Sequence, residues 1–459
     1  MHKYLHLQNV LEELLEGQTY QEGDKLPSIR ELAKQYQCSM STVIRTLAEL
    51  EKRHLVYSVD KSGYYVVKKQ SKPLPAAPNI IDFATSAPDP DVFPYLDFQH
   101  CINKAIETYK NDLFIYGTSQ GLPSLLQVLQ KQLADHQVFT QPSNIFVTSG
   151  VQQALALLAT IPFPNHKSHV LIEQPGYHLL IEYLETHALP VIGIKRTAQG
   201  IDLAELERLF RTEKIKFFYT MPRFQSPLGT TYSRQEKQAI VELARTYDVY
   251  IVEDDHLADL EQDSKSDPLF AYDTSGHVIY LKTYSKIIFP GLRLGAAVIP
   301  DALTHTFNQY KRLLDIDSSM LSQAALEIYL KSGMFDRHKQ KIRRSYERKS
   351  HVLASALARE QADAGDLFSY EAMKHPGIHT HLLLPEHLSV ARLIPLLKKQ
   401  SILIEGIQKH FLFSFPQENI LKLNASMTKV EVIEPGISRL VDVLRKARKK
   451  VFVENNGLD

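Results

Sequence analysis

One stretch limits this chain more than any other: Val278-Ile279-Tyr280-Leu281-Lys282-Thr283-Tyr284-Ser285-Lys286-Ile287-Ile288-Phe289-Pro290-Gly291-Leu292-Arg293-Leu294-Gly295. The apolar run Val278 to Leu281 predicts a buried strand. Hydroxyl residues and one lysine follow it. Seven residues after Lys286 comes Arg293, between a Pro-Gly turn and a second apolar run, Ala296 to Ile299. A lysine at the end of a buried strand has its pKa lowered by desolvation, which makes the amine a nucleophile for aldehydes. An arginine with nearby hydroxyls suits a phosphate. The bland alternative is a solvated lysine in a turn.

A chain of 459 residues exceeds one simple core and predicts at least two domains. No apolar run reaches the length of a membrane span, and Met1 to His6 lacks the apolar core of a signal peptide. The two cysteines, Cys38 and Cys101, fall in different predicted domains. They are too few for a disulfide framework, so a cytoplasmic protein is expected. No metal is expected. The net charge of +1 gives no sign of a nucleic-acid partner, so that sign has to come from pattern.

Leu5, Leu7, Val10, Leu11, Leu14 and Leu15 recur at helical spacing and predict an amphipathic helix over 4–16, ended by Gly17. Ser28 with Glu31 forms a capping box that opens a short helix to about Tyr36. Gln37-Cys38-Ser39 makes a turn, and Ser41-Thr42 start a second helix to about Arg53. Two short helices across a tight turn are a helix-turn-helix. Leu55 to Ser58, a turn over Asp60 to Gly63, and Tyr64 to Val67 read as a β-hairpin wing. The segments Gly23-Asp24-x-Leu26-Pro27-Ser28-x-Arg30-x-Leu32-Ala33, Ser41-Thr42-Val43 and Gly63-Tyr64-Tyr65-Val66 resemble the winged helix of GntR-type transcription regulators. That resemblance implies double-stranded DNA as partner, with Ser28, Arg30, Ser41, Thr42 and Arg45 at its surface. The family usually has glycine where this chain has His54. The alternative is a winged helix used for protein contact, because residues 1–70 hold ten Lys/Arg against nine Asp/Glu. Weak charge per unit favours a homodimer on two half-sites.

Residues 70–79 contain three prolines and predict an extended connector between a DNA-binding domain over 1–69 and a second domain over 80–459. In the second domain strands and helices alternate, which predicts an α/β fold on a mainly parallel sheet. Asn144 to Thr148, Val170 to Glu173, Lys216 to Thr220 and Asp248 to Val252 read as strands. Each is followed by a polar or aromatic cluster, at the sheet edge where ligands bind. Ser149-Gly150 before Val151-Gln152 offers backbone N–H groups to an anion.

An aldehyde-reactive lysine beside a phosphate site points to pyridoxal 5′-phosphate (PLP). The pattern S-K-x-x-x-P-G-x-R-x-G resembles the Schiff-base segment of fold type I PLP enzymes, the aspartate aminotransferase group. Tyr116-Gly117-x-x-x-Gly121-x-x-x-Leu125 is similar to that family's early tyrosine-glycine segment. The resemblance runs from about Ile80 to the C-terminus. It implies that Lys286 carries the cofactor and that Asp254 pairs with the pyridine nitrogen. It also implies that Tyr177 lies on the ring, and that Gly150, Val151, Gln152, Ser285, Arg293 and Thr283 hold the phosphate. A GntR-type winged helix joined to such a domain is the arrangement of MocR-type regulators, in which PLP, sometimes as an adduct with an amine or amino acid, controls DNA binding.

Three positions depart from that family. Ser226 stands where an asparagine bonds the cofactor's phenolic oxygen. His256 stands where a tyrosine reaches the same oxygen, and histidine ordinarily titrates near neutral pH. Lys422 stands where an arginine clamps a substrate carboxylate, giving a point charge without the fork. Such losses cost catalysis more than binding, since catalysis depends on close placement. The expectation is a regulator sensing PLP or a PLP-reactive amine or amino acid, its transamination lost or feeble, with Lys422 facing the effector's carboxylate. An active aminotransferase with an accessory winged helix, and a regulator that has lost PLP, remain as alternatives. A small sub-domain is expected from Ile80–Thr108 with Phe307–Asp459, and the basic run Arg445 to Lys450 is read as a solvated helix end.

Overall fold

The structure is a computed structural model that describes residues 3–16, 20, 23–52, 55–59, 62–67, 80–263, 265–372 and 377–456. Gly17, His54, Asp60, Lys61 and the connector 70–79 lie outside the described residues. The chain divides into two compact units, one within Met1–Asn79 and one within Ile80–Asp459.

The first unit is built from helices α1 (Lys3–Glu16), α2 (Ile29–Gln35) and α3 (Met40–Lys52), and strands β1 (Val56–Val59) and β2 (Gly63–Val66). Both halves of the Ser28–Glu31 capping box are present, which fixes the start of α2. The second helix begins one residue before Ser41, because the Ser39 hydroxyl accepts from Thr42 N at 3.1 Å and does the capping. Leu7, Leu11 and Leu15 of α1 meet Leu32, Val43, Leu47 and Leu50, and Val56 and Val66 of the antiparallel wing close the same core.

In the second unit β3 (Ile81–Asp82), α4 (Tyr95–Tyr109) and α5 (Pro123–Ala134) precede β4 (Ile145–Thr148) and α6 (Val151–Thr160). There follow β5 (His169–Gln174), α7 (His178–Thr186), β6 (Val191–Thr197), β7 (Gly200–Ile201), α8 (Leu203–Thr212) and β8 (Ile215–Thr220). Next come α9 (Arg234–Thr246), β9 (Tyr250–Asp254), β10 (Val278–Thr283) and β11 (Gly295–Val298). The chain closes with α10 (Asp301–Leu314), α11 (Met320–Lys331), α12 (Met334–Ala364), β12 (His379–Leu383), α13 (Val390–Lys399), β13 (Ile402–Leu403), β14 (Ile420–Asn424) and α14 (Val430–Asn456).

Eight strands form one sheet in the order β4-β11-β10-β9-β8-β5-β6-β7. The pairs β10–β9, β9–β8, β8–β5 and β5–β6 are parallel, while β11 and β7 run against their neighbours. Every residue of β8 and β10 is buried, as in a sheet covered on both faces. Among the described residues no helix is long and apolar enough to cross a membrane.

The smaller lobe differs from the expected boundaries. Its core joins Ile81 and Phe83 to Leu353, Leu357, Leu382, Leu393, Leu421 and Leu440. Phe98, Cys101 and Ala105 of α4, with Tyr329 and Ile342, pack in the large lobe, and Phe307 packs under the large sheet. Only Ile81 to Phe83 of the early segment therefore belongs to the small core, and α10 and α11 belong to the large one. The reason lies in apolar faces: α4 and α5 both pack on α11 in one core, contacts that no local pattern announces. Cys38 and Cys101 are free thiols in different units.

Candidate functional site

Strand ends position the site. β4, β5, β8, β9 and β10 run the same way, so the residues just beyond their C-termini converge. They line a cavity of about 250 Å³ that takes in Gly150, Val151, Gln152, Tyr177, Ser226, Asp254, His256, Thr283, Ser285, Lys286, Arg293 and Lys422. All the residues expected to hold the cofactor or the effector carboxylate thus meet in one place, across 272 positions of chain between Gly150 and Lys422, whereas Tyr116, Gly117, Gly121 and Leu125 are not among its lining.

At one end, Gly150 caps α6 with φ +86°, a conformation that favours glycine. A Cβ there would come 3.1 Å from Arg293 Nη2, so the guanidinium rests against bare backbone. Arg293 itself is left-handed (φ 53°) and donates from Nη2 to Ser149 O at 3.1 Å. The Ser285 N–H donates to Thr283 Oγ1 at 3.2 Å. This end presents a helix N-terminus, a guanidinium and hydroxyls, which together suit a phosphate.

In the middle, Tyr219 Oη donates to Asp254 Oδ2 at 2.8 Å, while Oδ1 is buried without a hydrogen-bond partner. Burial pushes the Asp254 carboxyl up to about 7, helped by the charge of Asp255 and opposed by Tyr219 and Lys286. Asp255, next in sequence, is also buried and faces Arg223, whose Nε donates to it at 3.1 Å, and the Tyr280 hydroxyl at 2.7 Å. A solvated acidic loop is therefore excluded for both. Tyr177 Oη accepts from Gln152 Nε2 at 3.2 Å. Burial brings the Lys286 amine down to about 8, and Lys422 adds to the effect. Lys286 Nζ donates to Ser86 O and to Ser86 Oγ.

His256 corrects the expectation of a group titrating near neutral pH. Burial first, and then Lys286, lower it to about 4, so the ring is neutral over the ordinary range. At the far end Lys422 is buried, and its Nζ lies 3.7 Å from Glu405 Oε2, while Glu405 Oε1 holds Lys409. His178 and His379 line this end. His379 accepts from Asn424 Nδ2 at 3.1 Å, and its other nitrogen is 3.4 Å from Ser86 Oγ. Ser86, His178, His379 and Glu405 were missed in the sequence, because nothing local to them marks a site. The register of β12 against β14, which sets His379 opposite Asn424 and His381 opposite Lys422, is what brings His379 in, while Ser86, His178 and Glu405 arrive from the segment after β3, the start of α7 and the segment after β13.

On the first unit, Ser28, Arg30, Ser41 and Arg45 are exposed and Thr42 is half-buried. Ser28 Oγ is taken by its cap, and Ser39 Oγ lies 2.8 Å from both Ser41 Oγ and Thr42 Oγ1. The Arg45 guanidinium stacks over the Tyr4 ring, 4.2 Å from its centroid. Four of the five residues expected at a DNA surface are thus solvent-exposed, and Arg45 is steered by an aromatic of α1. In the basic C-terminal run, Arg445 pairs with Asp442 and Glu360, and Arg448 with Asp366.

Residues 78–429 match the family described as aminotransferase class I and II, and residues 3–66 match the bacterial regulatory proteins of the gntR family. The chain is 60% identical over 444 residues to the uncharacterized HTH-type transcriptional regulator YcxD of Bacillus subtilis (strain 168), covering 97% of this chain and 100% of that one. It is similar in structure to the alpha-aminoadipate aminotransferase LysN of Thermus thermophilus, with TM-score 0.73, 25% identity, and 81% and 93% of the two chains covered. The fold is shared with the multiple substrate aminotransferase of Thermococcus profundus, with TM-score 0.74, 24% identity, and 82% and 93% covered. The chain belongs to the HTH-type transcriptional regulators of MocR type, in which a gntR-family winged helix is joined to a class I and II aminotransferase domain.

Proposed function

We propose that this chain is a DNA-binding transcription regulator whose second domain holds PLP through Lys286 and senses PLP or a PLP-reactive amine or amino acid. Residues 1–69 serve as the DNA-binding domain, 70–79 as connector and 80–459 as effector domain. The observation that carries the reading is the cavity itself. A lysine amine with a lowered pKa shares it with a carboxylate that has one bare buried oxygen and with a glycine-arginine cradle.

These residues fit the cofactor. Asp254 Oδ1 lacks the donor that a protonated pyridine nitrogen supplies. Gly150, Val151, Gln152, Thr283, Ser285 and Arg293 offer donors to a phosphate, Tyr177 a ring face, and Ser226 and His256 small polar groups to the phenolic oxygen. Bound PLP supplies an aldehyde and an electron-withdrawing ring. Lys286 supplies the amine, kept partly deprotonated by burial. Asp254 holds a proton on the ring nitrogen, and neutral His256 contributes without adding charge. Lys422, paired with Glu405, offers one buried positive charge to an effector's carboxylate. Phe114, Ile115, Tyr116, Leu313, Leu314 and Ile316 are exposed, and Gly117 N donates to Asp317 Oδ2 at 2.6 Å, which brings the two segments side by side. Such an apolar patch supports a homodimer. A regulator of this kind acts beside DNA, which places it in the cytoplasm.

The test is an absorbance spectrum with added PLP, for wild type and Lys286→Ala, beside a DNA-binding titration of each. A visible band confined to wild type, with a PLP-dependent change in DNA affinity, supports the reading. An unchanged response in Lys286→Ala would sink it. Lys286, Asp254 and Arg293 also favour an active aminotransferase. Turnover of amino acid and keto acid at about 1–1000 s⁻¹ would establish that second reading.

A further inference from the structure

The helix α3 carries two parallel rows on the side away from its core, exposed at their first two residues and half-buried at the third. One is polar: Ser41, Arg45 and Glu49. The other is apolar: Met40, Ile44 and Ala48. Met40 is 52% exposed and Ile44 48%, whereas Val43, Leu47 and Leu50 of the same helix are fully buried. From Ser39 to Ala48 the single charge is Arg45, which is already drawn over Tyr4. With one charge, this face offers phosphates little beyond Arg45 and the hydroxyls of its polar row, while its apolar row is suited to reading something apolar.

In the major groove the one apolar group on any base edge is the thymine methyl. Met40 and Ile44 are one helical turn apart, about 6 Å along the axis, close to two base steps of about 3.4 Å. We propose that Met40 and Ile44 are the specificity-determining residues of the DNA half-site, and that they read thymine methyl groups about two base pairs apart. The hydroxyls of Ser41 and Thr42, set by Ser39, and the Arg45 guanidinium lie beside them and face the adjoining backbone and base edges. The proposal rests on the DNA-binding reading above and gives it a sequence class: half-sites with thymines at a fixed spacing.

The test uses the full chain. Preferred duplexes are selected from a randomised pool. Each thymine of the common half-site is then replaced by deoxyuridine, which removes only the methyl. Affinity is read by fluorescence anisotropy for wild type, Met40→Ala and Ile44→Ala. Both substitutions place a strong helix former at an exposed position, and circular dichroism checks that the helices remain. Wild type is expected to lose about fourfold at each of two positions, the worth of one buried methyl. One of those losses disappears in Met40→Ala and the other in Ile44→Ala. A preferred half-site without thymine, or thymines whose methyls make no difference to wild type, overturns the proposal and leaves DNA binding intact. If no duplex is preferred over random DNA, the DNA reading fails and the proposal fails with it.

Discussion

The Tyr219 hydroxyl donates to Asp254 Oδ2 at 2.8 Å and leaves Oδ1 of the same carboxylate buried and bare. A buried acceptor without a donor costs stability, and the cost is greatest when the group is charged. The carboxyl titrates at about 7, above its ordinary 3.8. Its contribution to stability is therefore whole below about pH 4 and is lost as pH rises through 7. Asp254→Asn should stabilise the PLP-free protein at pH 8 by ~2–4 kcal/mol, with little effect at pH 4. The same change should weaken PLP binding by roughly 10- to 100-fold, the worth of a charge-assisted hydrogen bond. Denaturant midpoints at the two pH values and a PLP titration check the two halves. Opposite signs for stability and binding mark a site shaped for a ligand.

Lys286 has the complementary behaviour. Its folded pKa is about 8 against an ordinary 10.5, so between those values the unfolded chain binds more protons and stability rises with pH. Lys286→Met should flatten that rise and stabilise the PLP-free protein at pH 7 by ~1–3 kcal/mol. Unfolding curves from pH 7 to 10.5 read it. A slope unchanged by the substitution would mean that the buried amine is not the group responsible.

Arg45→Ala should leave the first unit folded, since Arg45 is exposed and the core runs through Val43, Leu47 and Leu50. It should weaken DNA binding and reduce the dependence on salt by about one unit of slope if Arg45 meets a phosphate. Leu47→Ala should instead destabilise that unit by ~2–5 kcal/mol. Anisotropy against salt concentration, beside thermal melts, separates the two effects.

The exposed apolar segments yield a test of assembly. Phe114 is 76% exposed, Tyr116 79% and Leu313 73%. Phe114→Asp with Leu313→Asp should convert dimer to monomer, each change weakening association by about thirtyfold if it removes a central anchor. Sedimentation velocity measures this. A wild type that is monomeric at all concentrations would rule the dimer out.

Much of the site was legible because its chemistry is local. Lys286 and Arg293 sit in one short stretch, Gly150 and Tyr177 each follow a strand whose apolar run is visible, and Asp254 ends another. The winged helix was legible for the same reason: capping box, turn and wing are consecutive. What escaped depends on distant partners. His379 and Ser86 reach the cavity only through β12 on β14 and through the segment after β3. The titration of His256 depends on burial by walls that its own neighbours do not encode. The lobe boundary was misplaced because α4, early in the chain, packs on α11, more than 200 residues later.

Helix α12 runs unbroken for 31 residues, about 46 Å. Its first half, with Phe335, Ile342 and Tyr346, belongs to the large core, and its second, with Leu353 and Leu357, to the small one. The His338 ring donates to Ile287 O, one residue past Lys286, at 2.6 Å, and Lys349 Nζ holds Asp89 and Ser426 O. A helix kinks sharply only where its backbone ladder is interrupted. The two lobes are therefore mounted on a common axle, one end of which is fastened beside Lys286.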